Sequence, residues 1–210
     1  ERRVAAQNKA RQATLTEVLE RAAQHYRAQL KGNSRAVAYL KGRGLTGEIA
    51  ARLGLGYASD GWHALAGAFA QYGDPLLVGA GLVIYQQAEG QDEKRYDRFR
   101  DRVMFPIRAA SGETIGFGGR VLDRGEPKYL NSPETPVYQK SRTLYGLSWA
   151  KDAIRRQGHA LLMEGYLDVA RALEAGVTEA VATCGTALTQ AHARLLRRFS
   201  ERAIVNFDQD

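Results

Sequence analysis

From Thr14 onward the apolar positions Leu15, Val18, Leu19, Ala22, Ala23, Tyr26 and Leu30 recur three and four apart until Gly32-Asn33 interrupts them. That is the period of a helix with one buried face. Thr14 and Glu17 have capping-box spacing, so the helix is predicted to begin there. Residues 1–13 are polar and basic with no apolar period and are predicted to be a linker. Shorter helices are predicted over 35–41, 47–53 and 62–72, each bounded by glycine or a capping residue. Near Asp101 the period changes. Residues 103–107 and 114–122 read as two strands across the Ala110-Ser111-Gly112 turn, an antiparallel hairpin. Residues 127–138 hold three of the five prolines and are predicted to be an extended loop, followed by a helix over 149–156.

From residue 158 the pattern is regular. Apolar strands at 159–163, 179–183 and 203–207 alternate with helices at 167–175 and 189–199. Single helices between short strands require parallel pairing with right-handed crossovers. The C-terminal ends of all three strands then share one sheet edge, where open α/β sheets bind ligands. The expected fold class is therefore an α+β N-terminal subdomain, 14–157, followed by an α/β unit, 158–210, with a parallel βαβαβ sheet. The chain begins at Glu1 and ends at Asp210 directly after a strand, and it is expected to be an excised segment, truncated at its C-terminus.

Composition narrows the function classes. In 210 residues, 44% are apolar, enough for a genuine core. Thirty Lys and Arg against 23 Asp and Glu give a net charge of +7, which favours a polyanionic partner. A single cysteine, Cys184, excludes an internal disulfide and a cysteine-based zinc site. The four histidines are isolated and lack metal-ligand spacing. No apolar run is long enough to span a bilayer and no positively charged leader precedes an apolar cleavage region, so no membrane partner is expected and the location is expected to be cytoplasmic.

Three acids stand at strand ends. Glu164 follows the first strand of the parallel unit, and Asp208 and Asp210 follow the third. Parallel pairing can bring them to one edge, where hard oxygen ligands suit Mg²⁺. On geometry alone the alternative is equal: Glu164 as a favourable charge at a helix start, Asp208 and Asp210 as turn residues. The basic stretch Tyr96-Asp97-Arg98-Phe99-Arg100-Asp101-Arg102, continuing to Arg108, places cations at alternate positions and could line a face for phosphates. Its alternative is a solvated face paired with Asp97 and Asp101. Gly116-x-Gly118-Gly119 lacks the following helix that a dinucleotide fingerprint needs, so these glycines are read as allowing close approach of another backbone or a nucleic acid. Cys184 has no positioned histidine and is read as a packing residue.

Leu162-Met163-Glu164-Gly165-Tyr166-Leu167-Asp168, followed after the intervening elements by Asp208-x-Asp210, resembles the Toprim domain shared by bacterial primases, type IA and II topoisomerases and some nucleases. Further motifs resemble the bacterial DnaG-type primase core: Tyr39-Leu40-Lys41-Gly42-Arg43-Gly44-Leu45, the stretch 96–108, 115–122, Pro127-Lys128-Tyr129-Leu130-Asn131-Ser132, and Lys140-Ser141-Arg142. The resemblance covers residues 35–210. It implies synthesis of RNA primers on a single-stranded DNA template from ribonucleoside triphosphates, giving an RNA–DNA hybrid, with Mg²⁺ or Mn²⁺ as cofactor. Glu164, Asp208 and Asp210 are then the catalytic and metal-binding acids, with Asp168 in support. Arg98, Arg100, Arg108, Arg120, Lys128, Tyr129, Asn131, Lys140 and Arg142 are then the nucleic-acid or nucleotide-binding residues. It further implies an upstream zinc domain and a downstream domain for the replicative helicase, neither in this chain. The competing readings are another Toprim enzyme, which cleaves DNA, and a noncatalytic single-strand-binding module.

Overall fold

The computed structural model describes residues 2–87 and 93–207. Helix α1 (Arg2–Gly32) starts before the expected Thr14. The Thr14 hydroxyl donates to the Ala10 carbonyl at 3.0 Å, a bond inside a continuing helix and not a cap. The expected linker is therefore helical from Arg2. Gln7 and residues 10–13 are exposed, and Arg, Gln, Lys and Ala are good helix formers that need no apolar period. From Leu15 the predicted face, including Leu19, Ala22, Ala23, Tyr26 and Leu30, is buried.

Helices α2 (Ser34–Gly42) and α3 (Gly47–Leu53) stand where the pattern places them. The Asn33 side chain accepts from the Ala36 amide at 2.8 Å, and Thr46 caps α3 through the Ile49 amide. Strand β1 (Gly56–Ala58) follows. The predicted helix over 62–72 is instead a loop holding one 3₁₀ turn, Ala64–Gly67. Its Leu65 amide bonds the distant Asp97 carboxylate at 2.9 Å. Helix α4 (Pro75–Gly79) is capped by Asp74 and leads into β2 (Val83–Gln86), which pairs antiparallel with β3 (Lys94–Asp97).

The predicted hairpin is β4 (Arg102–Arg108) and β5 (Thr114–Val121), paired antiparallel through a turn containing Gly112 at φ 113°. A short strand, β6 (Tyr129–Asn131), forms inside the expected loop and pairs with β5. The first sheet runs β1-β4-β5-β6, wholly antiparallel.

Strand β7 (Leu144–Tyr145) and helix α5 (Leu147–Gln157) precede β8 (Ala160–Met163), α6 (Tyr166–Glu174), β9 (Ala180–Thr183), α7 (Gln190–Leu196) and β10 (Ala203–Asn206). Strand β8 pairs parallel with both β9 and β10, as the alternation requires. Strand β7 adds to β9 antiparallel, giving the order β10-β8-β9-β7.

The two sheets share one core: Leu53, Phe105 and Ile107 from the N-terminal part and Tyr145, Tyr166, Leu173 and Ala182 from the C-terminal part belong to a single buried cluster. Gly118 makes the closest approach, since a Cβ there would lie 2.3 Å from the Tyr166 ring. Gly118 of β5 thus admits an aromatic ring from the parallel unit. No described helix is long and apolar enough to cross a membrane.

Candidate active site and nucleic-acid interface

Glu164 leaves the C-terminal end of β8 and is exposed. Gly165 makes the turn into α6, and its amide donates to the Asp168 carboxylate at 3.1 Å. Asp168 therefore supplies an acid that supports the helix start. Tyr166 turns inward. Its hydroxyl donates to Asn131 Oδ1 at 2.7 Å, and its ring stacks on Phe105 at 5.6 Å.

Register sets the third strand beside the first. Asn206 of β10 is level with Met163 of β8, so the described chain ends at Phe207 alongside Glu164. Asp208 and Asp210, the other two predicted acids, lie outside the described residues. Among the described residues, no three His, Cys, Asp or Glu side chains form a group able to hold a metal.

Glu164 and Asp168 line a cleft of about 670 Å³. Arg43, Arg120, Lys128 and Arg171 supply cations to the same cleft, and Tyr129 and Asn131 of β6 also line it. Lys128 is exposed. Arg120 is only 6% exposed, with its Nε donating to the Tyr129 hydroxyl at 3.1 Å and its Nη1 to the Tyr39 hydroxyl. Its guanidinium lies 5.3 Å from the Tyr39 ring and 5.4 Å from the Tyr129 ring, and Arg43 covers Tyr39 in turn. Burial pushes the Tyr129 hydroxyl up, so it stays protonated.

The remaining predicted cations are distributed otherwise. Arg98 is half-buried and donates from Nε and Nη2 to the Asn131 carbonyl at 3.2 and 3.0 Å. Arg102 is buried and donates to the Pro127 carbonyl at 2.8 Å. Burial lowers both of their pKa values from the usual guanidinium range. Arg108 bonds the Gly112 carbonyl of the hairpin turn and sits 3.7 Å from Glu20. The alternate cations thus do not line one open face. Lys140 and Arg142 form a 3₁₀ turn docked on the start of α7, where His192 bonds the Lys140 carbonyl at 2.8 Å and Thr189 the Ser141 carbonyl at 2.7 Å. Asn131 ties the two sheets together, its side chain also donating to the Cys184 carbonyl at 3.1 Å. Cys184 is fully buried, which pushes its thiol up to about 11 against the lowering effect of the neighbouring Tyr138 and Tyr166 hydroxyls. A thiol held protonated fits packing, not nucleophilic attack.

One exposed feature was not read from the sequence. Arg100 lies 4.2 Å from the centroid of the Trp62 ring and 5.2 Å from that of Tyr96, and the two rings meet edge to face at 5.3 Å. Trp62 is 57% exposed. The available signal was a tryptophan directly after Gly61, at the start of the segment predicted as a helix over 62–72.

Residues 25–151 match a family model described as the DNA primase catalytic core, N-terminal domain, and residues 161–210 match one described as Toprim-like. A DNA primase from Neisseria meningitidis serogroup A is 47% identical over 188 residues, which cover 90% of this chain and 31% of that protein. This chain thus spans about a third of the curated relative's length. Among solved structures, a DnaG primase catalytic domain bound to single-stranded DNA superposes with a TM-score of 0.86 at 38% identity, over 96% of this chain and 63% of that one. A DNA primase domain from Pseudomonas aeruginosa superposes with a TM-score of 0.85 at 47% identity, over 93% and 62%. The first family match covers the antiparallel sheet and its helices, more than half of the residues, and the second takes up the parallel strands that carry Glu164, so this chain belongs to the DNA primase catalytic-core family.

Proposed function

We propose that this chain supplies template and nucleotide binding, and one catalytic acid cluster, to an enzyme that makes short RNA primers on single-stranded DNA. The observation carrying this reading is the meeting of Glu164, at the end of a parallel strand, with Arg43, Lys128 and Arg171 in one cleft. In template-directed nucleotidyl transfer the primer 3′-hydroxyl attacks the α-phosphate of a ribonucleoside triphosphate and pyrophosphate leaves, and the product is an RNA–DNA hybrid. Arg43 and Arg171 offer planar forks suited to bidentate phosphate contact, and Lys128 a mobile point charge. Arg120, held between two tyrosines, lines the same cleft.

Metal dependence accords with the Toprim-like and primase matches. The donors available at this strand edge are carboxylates, with Cys184 buried, and an oxygen-only set fits a hard cation, Mg²⁺ or Mn²⁺. Glu164, Asp208 and Asp210 are assigned as its ligands, and Asp168 fixes the turn from which Glu164 projects. The bound cation would neutralise charge on the attacking and leaving oxygens. Zinc and the replicative helicase are assigned to other segments of the longer relatives. The domain division is proposed between 14–157 and 158–210, with β7 of the first segment completing the second sheet and Asn131 bonding across the division.

Template contact is assigned to Lys128, Lys140, Arg142 and the Trp62–Arg100–Tyr96 group, of which Trp62 is exposed, because sequence-tolerant single-strand binding combines cations with rings on which bases stack. Lys128→Ala should leave thermal stability unchanged and shrink the log–log salt slope of single-strand binding by roughly 0.7. Arg98→Ala should do the reverse, costing about 1–3 kcal/mol by leaving the Asn131 carbonyl unpaired while the slope stays put. Binding isotherms at several salt concentrations beside thermal melts check both. The whole reading is tested by incubating the intact protein with a single-stranded template, ribonucleoside triphosphates and Mg²⁺ or Mn²⁺. Ribonucleotide incorporation supports it, strand cleavage points to a nuclease or topoisomerase, and binding alone to a noncatalytic module.

A further inference from the structure

Asp97 is an acid with an unexpected address. It ends β3 and is 1% exposed, between Tyr96 and the half-buried Arg98. Its carboxylate accepts from the Leu65 amide at 2.9 Å and from the Tyr72 hydroxyl at 2.6 Å. Its own amide donates to the Trp62 carbonyl at 2.8 Å, and its carbonyl accepts from Arg100 Nη1. One residue therefore grips the 59–73 loop at three points and holds the arginine that stacks on Trp62. The loop has no helix or strand of its own beyond the 3₁₀ turn Ala64–Gly67, and the first amide of that turn to find a side-chain partner finds Asp97.

A buried carboxylate is costly unless its partners satisfy it. Burial raises the Asp97 pKa, and the bonds from Tyr72 and Leu65 oppose that rise. Packing alone would be served more cheaply by an apolar residue of the same size. What an apolar residue cannot do is bond the Leu65 amide and the Tyr72 hydroxyl, and so hold in position the loop that carries the exposed Trp62. Base stacking demands that position, because a ring that swings freely must be ordered again at each binding event.

We infer that Asp97 is a positioning residue for single-stranded DNA, which touches no nucleotide and acts by fixing Trp62 and Arg100 as a preformed base-stacking pair. The inference rests on the assignment of Trp62 to template contact made above.

The test is a double-mutant cycle in the intact protein, read by fluorescence anisotropy of a labelled oligodeoxythymidine across a salt series. Trp62→Ala should weaken binding about tenfold, the scale of one lost stacking contact. Asp97→Leu removes both side-chain bonds to the loop and should weaken binding by a similar factor. Tyr72→Phe, which removes one and is gentle to the fold, should weaken it about threefold. In all three the salt slope should stay unchanged, since no phosphate contact is lost. In the Trp62→Ala background the Asp97 and Tyr72 substitutions should have no further effect. With Trp149→Phe isolating the Trp62 signal, the anisotropy of Trp62 emission should fall in Asp97→Leu and Tyr72→Phe. If Asp97→Leu does not fold, the Tyr72→Phe cycle decides alone. Wild-type affinity in folded Tyr72→Phe, or losses that add in full to that of Trp62→Ala, overturns the inference and leaves the template assignment standing. Wild-type affinity in Trp62→Ala removes the assignment itself, and the inference falls with it.

Discussion

Glu164→Gln is expected to collapse primer synthesis by at least about a hundredfold while leaving single-stranded DNA affinity equal or slightly higher. The lower bound is the usual contribution of a positioned acid or base, and loss of a metal-binding charge adds to it. Affinity is spared because the change deletes a negative charge near a polyanion and leaves Arg43, Lys128 and Arg171 in place. Stability should move by less than about 0.5 kcal/mol, as for other exposed positions, since Asp168 bonds the amide at the start of α6 and is left in place. Ribonucleotide incorporation, DNA binding and a thermal melt on the same preparation separate these effects. Near-normal incorporation would return Glu164 to the role of a favourable charge at a helix start.

Gly118→Ala is expected to destabilise the intact protein by about 1–3 kcal/mol, the scale of overpacking a filled core, and to lower its midpoint by roughly 3–10 °C. The added methyl would lie 2.3 Å from the Tyr166 ring. That ring cannot step aside, being stacked on Phe105, set against Tyr145 at 4.8 Å, and held at its hydroxyl by Asn131. Tyr166 lies two residues after Glu164, so the strain falls on the turn that presents the acid, and primer synthesis should drop along with stability. Gly42→Ala is the control, since nothing lies within 4 Å of the added atom. Equal melting of the two variants would show that β5 and α6 can separate without cost.

Much of the architecture is local, and the sequence determined that much. Helices α2 and α3, the β4–β5 hairpin and the β8–α6–β9–α7–β10 alternation follow from residue period, caps and turn glycines, because each satisfies its backbone within itself or with a neighbour in order. Parallel pairing follows from connection length, and with it the place of Glu164 at the sheet edge. The same logic misplaced the start of α1, where helix propensity extends beyond the packed face.

Only the tertiary structure decided where polar side chains spend their bonds. Charge spacing suggested one open guanidinium face over 98–108, yet Arg98 and Arg102 turn to carbonyls of residues 131 and 127, partners that sequence distance hides. Asp97 looked like a surface counter-ion and is a buried hub, because Leu65 and Tyr72 arrive from another segment to satisfy it. The same contact unmade the predicted helix over 62–72 and left Trp62 in solvent. A side chain's sequence neighbours set its chemistry, but the free energy of burying it depends on donors and acceptors brought in by the fold, and these are known only when distant segments meet.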